Sequence, residues 1–469
     1  MPGSFSSTLP TTLSVPNPMS YSEIRLSTHA FVPKNELTED LEALIKTYTR
    51  TSRYEESIHI PLFRETASHF GFPLYLKDLD TKKATICDER SQGQPIDVEM
   101  AEGFSLRDNQ KPLMERFCAQ LKAGTTGWLI NMPTGSGKTV CALNMLRAIG
   151  RTTLIIVPRD NLMQQWAQRI QQFTNIAAHE IGQAQQDICD YAGKKVVIGM
   201  IHSLAKNKYP QAFCQNFGLV IWDEVHVAAA QSFSQTLSIF APKYRIGMSA
   251  TMNRRDGLQD IYKLAIGQEV LAISSHTLLQ PNVYILKYKA KKANRRLNFI
   301  SNANFRRAKL LSILAEDETR NELLATHIAK ISQSGRRTVV FSERIQQLKN
   351  LHTLLLEKQG VHEEAIGIFT GETKEAERRR ILSQSPIILA TYGVMALGVD
   401  VPDLRAVIFA TPQANVAQAV GRILRVNEES LDPVVLDVVD ISYQDCHFWA
   451  AARKKYYQNT AQAQLFELV

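Results

Sequence analysis

Short apolar runs alternate with helical segments along most of the chain beyond residue 104. The first series of runs is "GWLINM", "TTLIIVP", "KKVVIGMI", "FGLVIW" and "YRIGMSA", and segments such as "NLMQQWAQRIQQF" lie between them. Apolar runs separated by helical patterns predict buried parallel strands joined by crossover helices. From about residue 281 the scheme repeats, with the helical "ETRNELLATHIAKI" and the runs "RTVVFS", "AIGIFT", "PIILAT", "AVIFAT" and "PVVLDVVD". Two α/β domains in tandem are therefore predicted.

The chain ahead of these domains has a different pattern. Within residues 22–102, "SEIRLSTHAFV" and "SIHIPLF" alternate like strands, whereas "ELTEDLEALIKTYT" has helical spacing. This pattern predicts a small α+β domain. Residues 1–21 are rich in Ser, Thr and Pro and lack the charged start and apolar core of a secretory signal, so we expect a flexible leader. The following domains are predicted to span 103–280 and 281–469.

Composition narrows the class of protein. The 469 residues carry a formal charge of +8 and a pI near 9.0, which favours partners that bear phosphates. The six cysteines form no C-x-x-C pair, which argues against a zinc site or a disulfide framework. No apolar run is long enough to cross a bilayer. We therefore expect a cytosolic protein with no membrane partner.

"MPTGSGKT", residues 132–139, has the context of a phosphate-binding loop, because a strand-like run precedes it and a helical segment follows it. Lys138 is expected to place its charge on the β- and γ-phosphates of ATP, and the Thr139 hydroxyl to bind Mg²⁺. Met132 stands where the strict pattern has glycine. The residues expected to surround the phosphates are Thr134, Gly135, Ser136 and Gly137.

The run "FGLVIWDEVH" ends in two adjacent carboxylates, which a parallel sheet would place at its carboxyl edge beside the phosphate loop. Asp223 would hold Mg²⁺ through water, and Glu224 would orient and deprotonate the attacking water. An acidic pair at a strand end is, taken alone, more often a turn or a helix cap. Its occurrence in the same block as a phosphate loop favours hydrolysis of ATP with Mg²⁺.

With these two motifs the chain resembles the superfamily 2 helicases. The family's motifs follow in order as "SLRDNQ", "IIVPRDNLMQQW", "GMIHSL", "DEVH", "MSAT", "VVFSERIQQLK", "ATYGVMALGVDVP" and "QAVGRILR". The resemblance implies two tandem RecA-like parallel-sheet motor domains preceded by a small α+β domain. It also implies an ATP-hydrolysing DNA helicase of the DEVH type, in which residues 22–102 would form an accessory domain that binds DNA.

The resemblance assigns further roles to residues at motif positions. Arg107, Gln110, Gly398 and Asp400 would contribute to the ATP site. His226, Ser249 and Thr251 would couple hydrolysis to movement. Gln418, Arg422 and Arg425 would assist catalysis from the second domain.

Arg422 and Arg425 are three residues apart and so share one face of a helix. Guanidinium groups supplied from a second domain can stabilise charge on the transferring phosphoryl group. The alternative for "GRILR" is an exposed basic helix turn.

Nucleic-acid contacts are expected mainly with phosphates, so binding should weaken steeply with salt. Each candidate could instead be an ordinary loop residue or a helix cap. The candidates from the motor motifs are Arg159, Asn161, Ser203, Arg254, Arg255, Ser342, Arg344 and Thr391.

Residues 286–310 form a basic connecting segment that contains "KYKAKKANRRLNFISNANFRR". Phe299 or Phe305 could stack on a base or wedge beside it. The alternative is a basic surface loop whose aromatic side chains dock into the second domain. The candidate phosphate contacts in this segment are Lys287, Lys289, Lys291 and Lys292. At the carboxyl end, "ARKK" (452–455) could also touch phosphates or form a solvated helix end.

"SATMNRRDGLQ" resembles the UvsW and XPB-like DNA translocases, although Arg255 stands where the XPB group has glutamate. This resemblance implies a monomeric motor acting 3′→5′ on forks and four-way junctions, in branch migration or fork regression. Its location would be the cytoplasm, the host's if a phage encodes it, with replication or recombination proteins as candidate partners. Two alternatives stay open. One is an RNA or RNA–DNA hybrid helicase, and the other is an ATP-gated DNA clamp or assembly factor with little translocation.

Overall fold

The computed structural model describes residues 19–37, 40–52, 57–76, 79–80, 84–133, 135–250, 252, 256–273, 280–291, 293–294, 297, 299–395, 401, 403–414, 416–424, 431–459 and 463–468. The chain divides into two compact units. The first comprises Met1–Asn131 and Thr139–Ala272, and the second comprises Met132–Lys138 and Ile273–Val469. Each unit contains a large, mostly parallel sheet with helices, which confirms the predicted fold class. The exact domain boundaries stay predictions.

The amino-terminal part of the first unit is a small α+β structure. Its five-stranded sheet has the order β6-β7-β3-β2-β9 and is antiparallel except for the β2–β9 pair. The elements are β1 (Met19–Ser20), β2 (Glu23–Leu26), β3 (Ala30–Pro33), α1 (Leu41–Thr47), β4 (Thr49–Thr51), β5 (His59–Pro61), β6 (Arg64–Glu65), β7 (His69–Phe72), β8 (Leu79–Asp80) and β9 (Thr85–Asp88).

This small sheet shares one hydrophobic core with the parallel sheet that follows it. Phe70 and Phe72 belong to the same buried cluster as Leu129 and Leu264. The Tyr75 amide also donates to the Leu264 carbonyl at 3.1 Å. Burying these side chains together excludes water from both sheets, which stabilises their packing within the unit.

The parallel sheet of the first unit has the order β13-β12-β14-β11-β15-β16-β10-β17, and only the β12–β13 pair is antiparallel. All five predicted runs form strands in it. The strands are β10 (Gly127–Asn131), β11 (Thr153–Val157), β12 (Ile181–Gln185), β13 (Ile188–Asp190), β14 (Val196–Met200), β15 (Leu219–Asp223), β16 (Tyr244–Ser249) and β17 (Val270–Ala272). The helices are α2 (Lys111–Lys122), α3 (Lys138–Ile149), α4 (Asp160–Phe173), α5 (Ile201–Leu204), α6 (Gln211–Cys214), α7 (Thr236–Ile239) and α8 (Asp260–Ile266).

The register of three neighbouring strands brings motif residues together. Strand β16 lies between β15 and β10, and all three run parallel. Asn131, the last residue of β10, pairs with Ser249, and Asp223, the last residue of β15, pairs with Met248. The ends of these strands therefore meet at one edge of the sheet, where ligands bind in open α/β sheets.

The second unit contains an all-parallel sheet with the order β20-β21-β19-β22-β23-β18-β24. Its strands are β18 (Asn282–Tyr288), β19 (Arg337–Ser342), β20 (Ile366–Phe369), β21 (Ile387–Thr391), β22 (Leu404–Phe409), β23 (Val434–Asp440) and β24 (Gln464–Leu468). Its helices are α9 (Ala303–Glu316), α10 (Glu318–Gln333), α11 (Ile345–Glu357), α12 (Glu375–Gln384), α13 (Tyr392–Met395), α14 (Ala417–Ile423) and α15 (Gln444–Asn459). The basic connecting segment begins in β18 and ends in α9.

Two buried ion pairs fasten helices to strand β23. Arg320 donates to both carboxylate oxygens of Asp440, at 2.7 and 3.0 Å, and Arg453 binds Asp437 at 2.8 to 3.0 Å. All four side chains are almost fully buried, and buried charges of this kind require such partners. Both expectations for Arg453, a phosphate contact or a solvated helix end, are wrong because its guanidinium is enclosed in the core.

Among the described residues, no helix is long and apolar enough to cross a membrane. Over the same part of the chain, no group of three or more His, Cys, Asp or Glu side chains is placed to hold a metal ion. All six cysteines are free thiols.

Candidate functional site

The phosphate loop connects β10 to α3 with two left-handed glycines. Gly135 has φ 84° and Gly137 has φ 88°, which residues with a side chain adopt only under strain. The buried Ser136 hydroxyl donates to the Pro133 carbonyl at 2.6 Å and closes the loop. Lys138 opens α3, so the loop leads into a helix N-terminus, where backbone N–H groups attract phosphate. These residues fit the phosphates of a nucleotide.

Met132 explains why the loop departs from the strict pattern. Its side chain is fully buried, and its carbonyl accepts a hydrogen bond from Lys138 Nζ at 3.5 Å. An apolar core residue therefore stands at the entry to the loop, and the two glycines that need positive φ are kept.

Asp223 ends β15 with both carboxylate oxygens already oriented. Oδ2 accepts a hydrogen bond from Trp166 Nε1 at 2.8 Å, and Oδ1 accepts one from the Glu224 amide at 3.0 Å. Each oxygen has two lone pairs, so these bonds orient the carboxylate and still allow it to accept further donors. An oriented carboxylate at this edge is a suitable ligand for a magnesium-bound water.

Glu224, His226 and Ser249 form one polar network. The Ser249 hydroxyl donates to Glu224 Oε2 at 3.2 Å and lies 2.9 Å from His226 Nδ1, which is itself 3.3 Å from Glu224 Oε2. Glu224 has φ 51°, a left-handed conformation that is uncommon for residues other than glycine and that recurs at active sites. Two predicted coupling residues, His226 and Ser249, are thus brought together with the predicted base.

The motif "SLRDNQ", with the predicted ATP-site residues Arg107 and Gln110, precedes α2. Gln110 is buried, and its Oε1 accepts a hydrogen bond from the Arg107 amide at 3.0 Å. The Arg107 side chain is exposed. The local turn therefore holds Gln110 in place beside an exposed basic side chain.

In the second unit, Arg422 lies on α14 with only 7% of its surface exposed. Burial lowers the pKa of its guanidinium to about 10, so the group stays charged at neutral pH. The alternative that Arg422 belongs to an exposed basic helix turn is therefore wrong.

Gln418 lies on the same helix, and its side chain is outside the described residues. Also outside them are Thr134, Thr251, Arg254, Arg255, Lys292, Gly398, Asp400 and Arg425.

Two family profiles match this chain. One is described as the res subunit of type III restriction enzymes and matches residues 103–254. The other is described as the helicase conserved C-terminal domain and matches residues 319–427, so that together they span more than half of the chain. The chain belongs to the superfamily 2 helicases.

Some relatives of this helicase are named as RNA helicases and others as DNA translocases. A protein of Acanthamoeba polyphaga mimivirus, provisionally named an ATP-dependent RNA helicase, is 27% identical over 431 residues, which cover 90% of this chain and 81% of that protein. The DNA 3′-5′ translocase XPB2 of Sulfurisphaera tokodaii is 28% identical over 382 residues, covering 72% and 82%. The Hef helicase domain of Pyrococcus furiosus, a crystal structure, superposes with a TM-score of 0.51 at 13% identity, covering 74% and 98%, which shows the fold alone.

The candidate nucleic-acid residues of the helicase's first unit differ in accessibility. Arg159 is exposed at the start of α4. Both amide atoms of Asn161, in the first turn, are buried and have no hydrogen-bond partner among the described residues. Ser203 is only 6% exposed, and its hydroxyl accepts from the Gln186 amide at 2.9 Å. In this conformation Arg159 is therefore the most accessible of the three.

In the second unit, two candidates help to hold the fold. Ser342 is fully buried, and its hydroxyl donates to Gln347 Oε1 at 2.7 Å. Arg344 donates to the Ala308 carbonyl at 2.6 Å and to Ser312 Oγ at 3.1 Å, which ties it to α9. Thr391 is half-buried. The nucleic-acid roles of all three stay predictions, and a role for Ser342 requires a conformation in which its hydroxyl is exposed.

The charges of the basic segment are partly neutralised by acidic side chains. Lys287 binds Glu467 at 2.6 Å, Arg306 binds Asp445 at 3.0 Å, and Arg307 binds Glu343 at 2.8 Å. Lys289 and Lys291 are exposed. In the described part of this segment Lys309 is exposed as well, and Lys287 is exposed but ion-paired.

The two phenylalanines of this segment are exposed, whereas Tyr288 is buried. Phe299 is 88% exposed and Phe305 62% exposed, so the expectation that they dock into the second domain is wrong. Leu297 docks instead, in a small cluster with Leu310 and Tyr443. The pattern did not single out Phe448, which is 66% exposed on α15 one turn after Asp445.

Trp166 is the residue of the ATP site that sequence reasoning missed. Trp166 is the last residue of the motif "IIVPRDNLMQQW", and its position on the apolar face of α4 predicts only a core side chain. The contact with Asp223 joins residues 57 positions apart, so no local pattern could indicate it.

We predict that Glu224→Gln slows ATP hydrolysis by about 10²- to 10⁴-fold, the usual contribution of a general base. The amide still accepts the hydrogen bond from Ser249, so the network and nucleotide binding should survive. Single-turnover phosphate release and binding of a fluorescent ATP analogue measure the two effects separately.

Glu115→Gln, an exposed change on α2, is the matched control and should hydrolyse ATP like the unmodified protein. Normal turnover by the Glu224 variant would contradict the assignment of the base.

Proposed function

We propose that this helicase is an ATP-dependent DNA translocase that acts on branched DNA. It moves 3′→5′ on forks and four-way junctions and drives branch migration or fork regression. The observation that supports a motor most directly is the network of Glu224, His226 and Ser249, because it joins the catalytic carboxylate to a neighbouring strand. The choice of DNA and the direction are supported by the similarity to the DNA 3′-5′ translocase XPB2 and by "SATMNRRDGLQ".

In this proposal the phosphate loop binds ATP, with Lys138 on the β- and γ-phosphates. Thr139 and Asp223 would hold Mg²⁺, which would supply positive charge to neutralise the phosphates. Glu224 orients the attacking water and accepts its proton. Arg422 and Arg425, together with Gln418, would stabilise charge on the transferring group.

The DNA path is proposed to use phosphate contacts from both units. Arg159 is accessible in the first unit, and Lys289 and Lys291 are accessible in the second. The exposed Phe299 and Phe305 lie on the same segment as these lysines and can stack on unpaired bases, since every base offers a π-face. These contacts distinguish a branched end, which carries both duplex and unpaired bases, from a plain duplex.

Two other functions have specific support. The mimivirus relative is named for RNA, which supports an RNA or hybrid helicase. The exposed basic and aromatic segment would also suit an ATP-gated DNA clamp. A clamp needs ATP binding rather than fast hydrolysis, so the ordered network around Glu224 favours the motor.

A substrate panel tests the proposed function. ATP hydrolysis and strand displacement should be strongest with four-way junctions and forks, weaker with single-stranded DNA and blunt DNA duplex, and weakest with RNA duplex. Preference for RNA duplex over every DNA would contradict the proposal, and high hydrolysis on junctions without strand movement would favour the clamp. Lys138→Ala and Arg425→Ala should each abolish turnover, and turnover in both would refute the site.

The basic segment makes a second prediction about DNA. Lys289→Ala with Lys291→Ala should weaken junction binding and reduce its salt dependence by about two phosphate contacts, since the slope follows the number of phosphates neutralised. Hydrolysis without DNA should not change, because neither lysine belongs to the ATP site. Fluorescence anisotropy over a salt series measures both quantities.

The matched control replaces Lys122 and Lys374, two exposed lysines outside the motifs and the basic segment, with alanine and should bind the junction as tightly as the unmodified protein. If the variant with Lys289→Ala and Lys291→Ala bound the junction as tightly as the unmodified protein, the prediction would be contradicted. The basic segment would then be only a surface linker.

A further inference from the structure

Trp166 connects helix α4 to the magnesium-binding side of the ATP site. Its indole Nε1 donates to Asp223 Oδ2 at 2.8 Å, and the side chain is only 2% exposed. It shares the buried face of α4 with Met163 and Ile170, so packing fixes the ring as well as the hydrogen bond. Partners of this kind orient metal-binding carboxylates and tune their affinity.

The same helix begins with two candidate nucleic-acid residues. Arg159 caps α4, and Asn161 lies in its first turn with both amide atoms buried and unpaired among the described residues. Trp166 follows Asn161 by five residues, or about 7.5 Å along the axis. A regular helix moves as one body within a closely packed interior. Displacement of its first turn therefore also moves the indole against Asp223.

We propose that Trp166 is a positioning residue that transmits nucleic-acid binding at the start of α4 to the Asp223 carboxylate. This inference rests on the proposed function, because it requires that nucleic acid contacts Arg159 or Asn161. Binding of a nucleic-acid strand displaces α4, and the indole then reorients the Asp223 carboxylate, which would hold Mg²⁺ through water. When no nucleic acid is bound, the orientation of the Asp223 carboxylate is less favourable for hydrolysis, so ATP is hydrolysed slowly.

The simpler explanation is that Trp166 only fills the core. The first unit offers a matched comparison, because Trp222 is 1% exposed, precedes Asp223 directly and has an indole N–H without a hydrogen-bond partner in the described structure. Replacing either tryptophan by phenylalanine removes an indole N–H and part of a buried ring. Only one of the two changes removes a bond to the carboxylate.

The experiment compares Trp166→Phe with Trp222→Phe. The first measurement is the Mg²⁺ concentration that half-saturates binding of a fluorescent ATP analogue. It should rise about tenfold in the Trp166 variant, the lower end of the effect of removing a hydrogen-bond partner from a metal-binding group. The second is the ratio of ATP hydrolysis with and without single-stranded DNA, which should fall towards one in that variant. The Trp222 variant should stay close to the unmodified protein in both.

Equal changes in the two variants would overturn the inference, because loss of packing would explain them, and so would no change in the Trp166 variant. Thermal melts of both variants show whether each folds. If Trp166→Phe does not fold, the indole resonance of Trp166 in ¹⁵N-tryptophan-labelled protein, assigned with Trp128→Phe, Trp222→Phe and Trp449→Phe, provides the test. It should shift when single-stranded DNA binds, and a resonance that does not respond would overturn the inference.

Failure of the proposed function gives a different result. In that case no nucleic acid stimulates hydrolysis by the unmodified protein, although the Mg²⁺ requirement of the two variants still differs. The proposal that α4 transmits nucleic-acid binding to Asp223 would then be overturned, whereas the proposal that Trp166 positions Asp223 would stand.

Discussion

The parallel pairing of β15, β16 and β10 is the constraint on which the ATP site depends. One strand ends in the acidic pair, the middle strand ends in Ser249, and the third leads into the phosphate loop. Because the three are in register, Ser249 reaches both Glu224 and His226. A shift of β16 by one residue would turn the Ser249 side chain to the other face of the sheet and separate these groups. The chemistry therefore depends on strand register as much as on the identity of the motif residues.

In the second unit, the main constraint is that charged side chains are buried in the core of the sheet. Strand β23 carries Asp437 and Asp440 inside the core, and each receives an arginine from a helix. Removing one partner of such a pair leaves an uncompensated buried charge, which costs about 3–5 kcal/mol. These pairs attach α10 and α15 to the sheet. Arg453 is thus a structural residue of α15, whereas Lys454 and Lys455 of the same helix are exposed, as are Lys289 and Lys291 of the basic segment.

Strong local patterns predicted the core strands, the phosphate loop and the acidic pair. These features are encoded by neighbouring residues: a run of β-branched side chains, or two glycines before a lysine. The hairpin of β12 and β13 was missed because Gln186 takes the left-handed turn conformation without a glycine signal. The bonds of Trp166 with Asp223 and of Arg320 with Asp440 join residues 57 and 120 positions apart, so only the folded chain reveals them. The exposure of Phe299 and Phe305 likewise depends on which neighbour, here Leu297, enters the core.

The central claim of the proposed function is that the bound nucleotide changes the affinity of this helicase for DNA. The affinity for a fluorescent forked DNA, measured with a non-hydrolysable ATP analogue, with ADP and without nucleotide, tests it most directly. Allosteric coupling usually changes an affinity by about 5- to 150-fold, and we predict a difference within that range between the ATP-analogue and ADP states. Equal affinities in all three states would contradict the account. A protein whose affinity for DNA does not depend on the bound nucleotide cannot convert ATP hydrolysis into movement along DNA.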